Sequence, residues 1–181
     1  VNGVIQALSP GYNVRIFTKH KVPDGFFDDI DMVVFPGGHG DAGSFDHLLR
    51  ANIHEVKKLL KRGGRYLGIC MGAYWAGRDY FDLLTNLDPV QYITQQTADV
   101  RRSYPTTAKV DWLSTKQQMY FYDGCTYSGG QYDIIAKYPN HDPMAIIQDR
   151  IGLIGCHPEA DQHWYESYSW MRKHWGGGKH H

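Results

Sequence analysis

Apolar and polar positions follow two rhythms along this chain, and the rhythm changes near residue 76. Val1 to Leu8 reads as a short helix ending near Ser9-Pro10-Gly11. From Tyr12 to Thr18, Val14, Ile16 and Thr18 alternate with Asn13, Arg15 and Phe17, which predicts a strand. Lys21 to Asp29 reads as a loop, and Asp31 to Phe35 as a buried strand. Ser44 to Leu49 predicts a short helical turn. Between Asn52 and Lys61 the period becomes helical, with Ile53, Val56, Leu59 and Leu60 on one face and Lys57, Lys58 and Lys61 on another. Gly63-Gly64 stops that helix, and Arg65 to Ile69 is the next apolar strand.

Beyond Ala76 the pattern is one of short strands and turns. Val90 to Ile93, Ala108 to Leu113, Gln118 to Tyr122, Tyr132 to Lys137 and Pro143 to Gln148 are the candidates. Asp123-Gly124, Gly129-Gly130 and Pro139-Asn140 punctuate them. The loops around Arg101 to Thr107 and Thr126 to Tyr132 are candidates to wall a site, with ordinary turns as the plainer reading. Ile151 to Ile154 is a last apolar strand, and Gln162 to His174 a last helix that packs with Trp164, Tyr168 and Met171. Strand–helix–strand alternation in the first half predicts an α/β fold. The expected architecture is a three-layer sandwich with a mainly parallel central sheet flanked by helices and an antiparallel extension.

Composition narrows the partners. The 181 residues suffice for one domain with a sizeable core, read as 1–175. Residues 176–181, Gly-rich and ending in two histidines, read as a linker and the start of a purification tag. Formal net charge is zero, which argues against nucleic acid or an anionic membrane as partner. No apolar run reaches membrane-spanning length. Three cysteines at wide spacing suggest no disulfide framework, so a reducing, cytoplasmic setting is expected. Ten histidines raise the question of a metal. His157, Glu159, Asp161 and His163 are close in sequence, but they lack both the i,i+4 histidine spacing and the paired cysteines of a zinc site, so neither metal nor cofactor is expected.

Two stretches carry candidate chemistry. Gly68-Ile69-Cys70-Met71-Gly72 gives G-x-C-x-G between a strand and a helix, the cysteine form of a nucleophile elbow. The turn crowds Cys70, and the flanking glycines relieve that crowding. A sulfur there meets the positive end of a helix dipole, and the N–H of Met71 points where an oxyanion develops. A buried cysteine between packing glycines is the plainer alternative. The second stretch is His157-Pro158-Glu159, after the strand Ile151 to Ile154. A thiol nucleophile needs a base, and that base needs a group to fix its tautomer. Side chains at i and i+2 of an extended segment share a side, so Glu159 can serve His157. Parallel strands deliver their C-terminal turns to one sheet edge, where Cys70 and His157 can meet. Cys156 reads as a core cysteine.

These two motifs, with Phe35-Pro36-Gly37-Gly38-His39-Gly40-Asp41, resemble the class I glutamine amidotransferase-like superfamily. Gly63 to Tyr74 is most similar to the branch found as the N-terminal domain of eukaryotic-type biotin–protein ligases, and Tyr120 to Gly124 adds a strand-turn of the same kind. The similarity spans roughly Val14 to Trp170. It implies a flavodoxin-like, class I amidotransferase-like fold and a Cys70-His157-Glu159 triad. It also implies an oxyanion hole from the N–H groups of Met71 and of Gly38 or His39, with Gly37 and Tyr74 at the substrate. A strand and a glycine-rich loop would precede Val1.

One position departs from the superfamily: Tyr74 stands where the glutamine amidotransferases usually carry the Gln that holds substrate glutamine. The expected activity is thus amide hydrolysis through an acyl-thioester on Cys70, with glutamine as one candidate substrate among small amides. An ammonia-accepting partner protein is the further partner the resemblance implies. The alternative is a non-catalytic module that binds a small molecule or partner in the same cleft. A redox protein of the related fold fits less well, because that group places its acidic partner before the cysteine.

Overall fold

A computed structural model describes residues 1–18, 20–38 and 41–175. Among these the chain forms α1 (Asn2–Leu8), β1 (Met32–Phe35), α2 (Phe45–Leu48), α3 (Ile53–Lys61), β2 (Arg65–Ile69), α4 (Met71–Trp75), β3 (Leu87–Gln91), β4 (Thr106–Trp112), β5 (Thr115–Phe121), β6 (Cys125–Gly129), β7 (Asp133–Lys137), β8 (Pro143–Gln148), β9 (Ile151–Ile154) and α5 (Gln162–Glu166). Seven strands make one sheet in the order β1-β2-β9-β8-β7-β4-β5, while β3 and β6 form a separate antiparallel ribbon. The expected tag at 176–181 lies outside the described residues.

Only β1, β2 and β9 run parallel to one another. The pairings of β9 with β8, β8 with β7, β7 with β4 and β4 with β5 are antiparallel. The sheet is therefore mixed, and the expectation of a mainly parallel sheet is corrected. The physical reason is connection length. A parallel pair needs a long crossover, and after α4 the chain offers short turns instead, which suit antiparallel neighbours. The register of the parallel trio positions the site: Phe35 stands opposite Gly68, and Ile69 opposite Ile154, so three turns leave the sheet at one edge.

Two packed clusters flank the strands. One is aromatic: Phe35, Phe45, Tyr66, Trp75 and Phe81 are buried, with Phe45 and Phe81 rings 4.8 Å apart and Phe35 and Phe81 rings 5.0 Å apart. Such edge-on and tilted pairs bury large apolar area at defined geometry. The other cluster lies under β4, β5, β7 and β8, where Tyr92 and Tyr138 stack at 3.6 Å. α3 buries Val56 and Leu59 as its period predicts. Its polar residues also work: Asn52 Oδ1 accepts from Val22 N at 2.9 Å and Glu55 Oε2 from Gly25 N at 3.0 Å, pinning the preceding loop.

Three boundaries differ from the sequence expectation. Tyr12 to Thr18 pairs with no strand among the described residues, and Ile16 remains 64% exposed. A cavity of about 590 Å³ is lined by α1, this segment and β1, and Phe17 packs on Phe35 of β1 with ring centroids 5.8 Å apart, a side-chain contact without a ladder. Alternation makes a segment compatible with a strand, but a ladder partner makes it one. β6 forms where a turn was expected, because Leu87 to Gln91 pairs with it residue for residue. The last helix is also shorter than expected: α5 ends at Glu166, and the Ser167 hydroxyl donates to the His163 carbonyl at 2.9 Å, competing with the helical ladder.

Candidate active site

The three turns at the parallel edge carry the residues singled out in the sequence. The first is the elbow. Cys70 sits between β2 and α4 at φ 50°, ψ −105°, a conformation that side chains rarely adopt. Its N–H donates to the Ile154 carbonyl at 2.7 Å, which ties the elbow to the end of β9. The flanking glycines are sterically required. A β-carbon on Gly68 would lie 2.4 Å from the Gly72 carbonyl oxygen, and one on Gly72 would lie 2.0 Å from that of Phe35. The buried Tyr66 hydroxyl donates to the Gly72 carbonyl at 2.6 Å and closes the first turn of α4.

The second turn is Gly155-Cys156-His157 after β9. The His157 N–H donates to the Tyr120 carbonyl at 2.9 Å, which fixes the backbone from which the ring projects. His157 Nδ1 and Glu159 Oε1 are 3.0 Å apart, with both side chains almost fully buried. The segment is not extended as the i,i+2 argument expects: Pro158 and Glu159 form a turn closed by the Ala160 N–H on the His157 carbonyl at 3.2 Å, and this turn brings the Glu159 carboxylate back to the ring. Burial alone would lower the His157 pKa. The negative charges of Cys70 and Glu159 outweigh it and raise His157 to about 10, so an imidazolium is held at neutral pH once the sulfur is ionised. The Nε2 atom makes no hydrogen bond of regular geometry among the described residues, although Cys70 is near enough to raise the ring's pKa by charge and by hydrogen bonding. Glu159 Oε2 is likewise buried without a hydrogen-bond partner.

The third turn is Pro36-Gly37-Gly38. Gly37 fits between the two candidate catalytic side chains: a β-carbon there would stand 2.3 Å from His157 Cε1 and 3.3 Å from Cys70 Cβ. A β-carbon on Gly38 would stand 3.4 Å from Met71 Sδ, so this turn also borders the residue that follows the cysteine. His39 lies outside the described residues. Trp75 Nε1 donates to the Ala42 carbonyl at 3.1 Å and anchors the end of α4 to the chain beyond the turn.

A fourth segment, not assigned to the site from sequence, passes over the elbow. The Cys70 thiol donates to the Tyr122 carbonyl at 3.3 Å, and the Tyr74 hydroxyl to the Asp123 carbonyl at 3.1 Å. Asp123 takes φ 50°, and its carboxylate accepts from Gln91 Nε2 at 3.0 and 3.2 Å. Burial, reinforced by nearby Cys125, Asp123 and Cys70, pushes the Tyr74 hydroxyl far above its ordinary pKa and keeps it a donor. Aromatic rings complete the wall: Trp164 lies 5.2 Å and Tyr120 5.6 Å from the His157 ring. The Asp123-Gly124 turn signal marked this segment in the sequence. Its lodging against Cys70 depends on Gly124 and Gly155 packing backbone to backbone, where a β-carbon on Gly124 would lie 2.0 Å from the Gly155 oxygen.

Comparison with known proteins bears on this geometry. The family model described as "Biotin-protein ligase, N terminal" matches residues 1–83, which include the Pro-Gly-Gly turn and the whole elbow. Over those residues the chain is similar to the biotin–protein ligase N-terminal family. Among solved structures it is similar to a glutamine amidotransferase at 17% identity and a TM-score of 0.67, covering 87% of this chain and 85% of that one. It is also similar to PurLQS from Thermotoga maritima, at 14% identity and a TM-score of 0.61 over 94% and 84% of the two chains. A putative GMP synthase protein from Thermoplasma acidophilum aligns at 16% identity and a TM-score of 0.61 over 88% and 78%. No curated protein sequence matches. At these identities the shared property is the fold. The fold shared with these structures extends beyond residues 1–83 across most of the chain. Among the described residues no helix is long and apolar enough to cross a membrane.

Proposed function

We propose that this chain hydrolyses a small amide through an acyl-thioester on Cys70. The carrying observation is the 3.0 Å contact between His157 Nδ1 and Glu159 Oε1, behind a ring whose Nε2 is unpartnered and whose charge responds to Cys70. In this reading the Cys70 thiolate attacks the amide carbon and His157 gives a proton to the leaving nitrogen. Glu159 orients the ring and stabilises its cation. The N–H groups of Met71 and of Gly38 or His39 hold the oxyanion, and Gly37 and Tyr74 border the substrate. Water then cleaves the thioester, with His157 as base, and returns the free thiol.

Glutamine is one candidate substrate, supported by the fold shared with a glutamine amidotransferase. The folds shared with PurLQS and with the putative GMP synthase protein lend support to an ammonia-accepting partner protein. The same reading takes residues 1–175 as one domain in the three-layer arrangement of class I amidotransferases. A reducing cytoplasmic location suits three cysteines that are all free. The test is ammonia release from glutamine and a panel of primary amides, with peptide-mass detection of Cys70 labelling by a glutamine-mimicking chloroketone. Turnover lost in Cys70→Ala supports hydrolysis, and labelling identifies glutamine as the amide. A second reading, a non-catalytic binding module, is favoured by the cover over the sulfur and by Tyr74. Absence of turnover and of labelling would decide for it.

A further inference from the structure

The segment over Cys70 is held at both ends and turns only in its middle. At one end Tyr120 accepts from the His157 N–H and donates its own N–H to the Tyr165 hydroxyl at 2.9 Å. At the other end the Gly124 carbonyl accepts from Tyr92 N at 3.1 Å, and its backbone abuts Gly155. Between these anchors lie Tyr122 and Asp123, the latter in the left-handed region that costs a non-glycine residue free energy. Both residues turn their carbonyls inward, to the Cys70 thiol and the Tyr74 hydroxyl. Cys70 is left 4% exposed.

This arrangement conflicts with the chemistry proposed above. While the thiol donates to the Tyr122 carbonyl, its proton is directed there and not to His157. An amide carbon must also approach the sulfur to within van der Waals contact, and the Tyr122 carbonyl occupies one approach at 3.3 Å.

We propose that Tyr122–Gly124 is a strap whose middle must shift before a substrate reaches Cys70, and that Tyr74 and Gln91 are the positioning residues that latch it. This rests on Cys70 being the nucleophile. Tyr74 lies one helical turn after Cys70, and its N–H bonds the Cys70 carbonyl at 3.1 Å, so one side chain reads both the elbow and the strap. Gln91 grips the Asp123 carboxylate from β3, which is paired to β6 immediately after the strap. Where the superfamily's usual Gln would face substrate, Tyr74 here holds the wall.

The molecule carries its own control. Cys125 and Cys156 are both fully buried, so an alkylating reagent meets them only on wider unfolding. The test is iodoacetamide labelling of the intact chain, read as peptide mass at each of the three cysteines, for wild type, Tyr74→Phe and Gln91→Ala. Loss of a single latch bond is expected to speed labelling of Cys70 by about fivefold, while Cys125 and Cys156 stay unlabelled. Unchanged Cys70 labelling in both variants overturns the proposal. So does a parallel rise at all three cysteines, because Tyr74 and Gln91 then hold the fold and not the strap. Ammonia release measured on the same proteins keeps the two readings apart. Faster Cys70 labelling in the variants without turnover in wild type refutes the hydrolase and leaves the strap standing.

Discussion

The α-carbon of Gly37 lies so near the His157 ring that a β-carbon would sit 2.3 Å from Cε1 and 3.0 Å from Nδ1. No side chain fits there without moving the ring or the turn. The Pro-Gly-Gly loop thus sets the position of the histidine as well as bordering Met71. Gly37→Ala is expected to shift His157 and reduce amide turnover by about a hundredfold, the usual effect of an ångström-scale misplacement. Near-ultraviolet circular dichroism checks that the core survives, and retained turnover would refute the packing argument.

Cys70 at φ 50° predicts an inversion of the ordinary stability order. Glycine normally destabilises an element relative to alanine. Here Cys70→Gly is expected to be more stable than Cys70→Ala by about 1 kcal/mol, since glycine adopts this conformation without strain. Urea unfolding of the two variants, both lacking the sulfur, measures the difference.

The His157–Glu159 pair predicts a direction of pH dependence. With the Cys70 sulfur ionised, His157 is raised from 6.5 to about 10 in the folded chain. A group whose pKa rises on folding contributes stability that is fully present below its unfolded value. That contribution fades as pH climbs through the window from about 6.5 to about 10. The difference in unfolding free energy between wild type and His157→Gln is expected to shrink across this window. A difference that stays constant would show that the ring is neutral when folded.

Glu159→Gln removes one of the two charges that hold the imidazolium while keeping the side chain's size. The His157 pKa is expected to fall, as read from the ring proton resonances against pH. Because an amide can donate to Nδ1 and select the wrong tautomer, turnover is expected to drop by about 10⁴-fold. Turnover within a few-fold of wild type would remove Glu159 from the proposed triad.

Gly72→Ala places a β-carbon 2.0 Å from the Phe35 carbonyl oxygen, in rigid backbone of β1. The elbow helix cannot then pack on the strand. Loss of several kcal/mol of stability is expected from overpacking of this kind, measured by thermal unfolding.

Much of the site was legible in local sequence, because its determinants are local. The G-x-C-x-G spacing reports the crowding of one turn, and His-Pro-Glu reports a base and a carboxylate two residues apart, which a tight turn and not an extended segment brings together. Each depends on backbone sterics within a few residues, so Cys70, His157, Glu159 and the glycines around them could be named from their order alone. The mixture of parallel and antiparallel pairing was only half legible. Hydrophobic periodicity marks a segment as able to pair, and does not say with which neighbour or in which direction. Tyr12 to Thr18 shows the limit: its alternation is strand-like and Phe17 packs on Phe35, yet it pairs with no strand among the described residues.

What only the tertiary structure decided is how distant segments converge. The carbonyls of Tyr122 and Asp123 meet Cys70 and Tyr74 because Gly124 packs on Gly155 and Gln91 reaches across from a second ribbon. Backbone carbonyls have no signature in a sequence, since every residue carries one. Which of them faces the thiol depends on register, and register is set by packing summed over the whole sheet. The chain itself determined that a strained cysteine turn and a histidine–carboxylate pair would form, through the sterics of a few adjacent residues. The fold determined that the parallel strand ends bring them together and that a strap lies across them, through contacts between residues far apart in the chain.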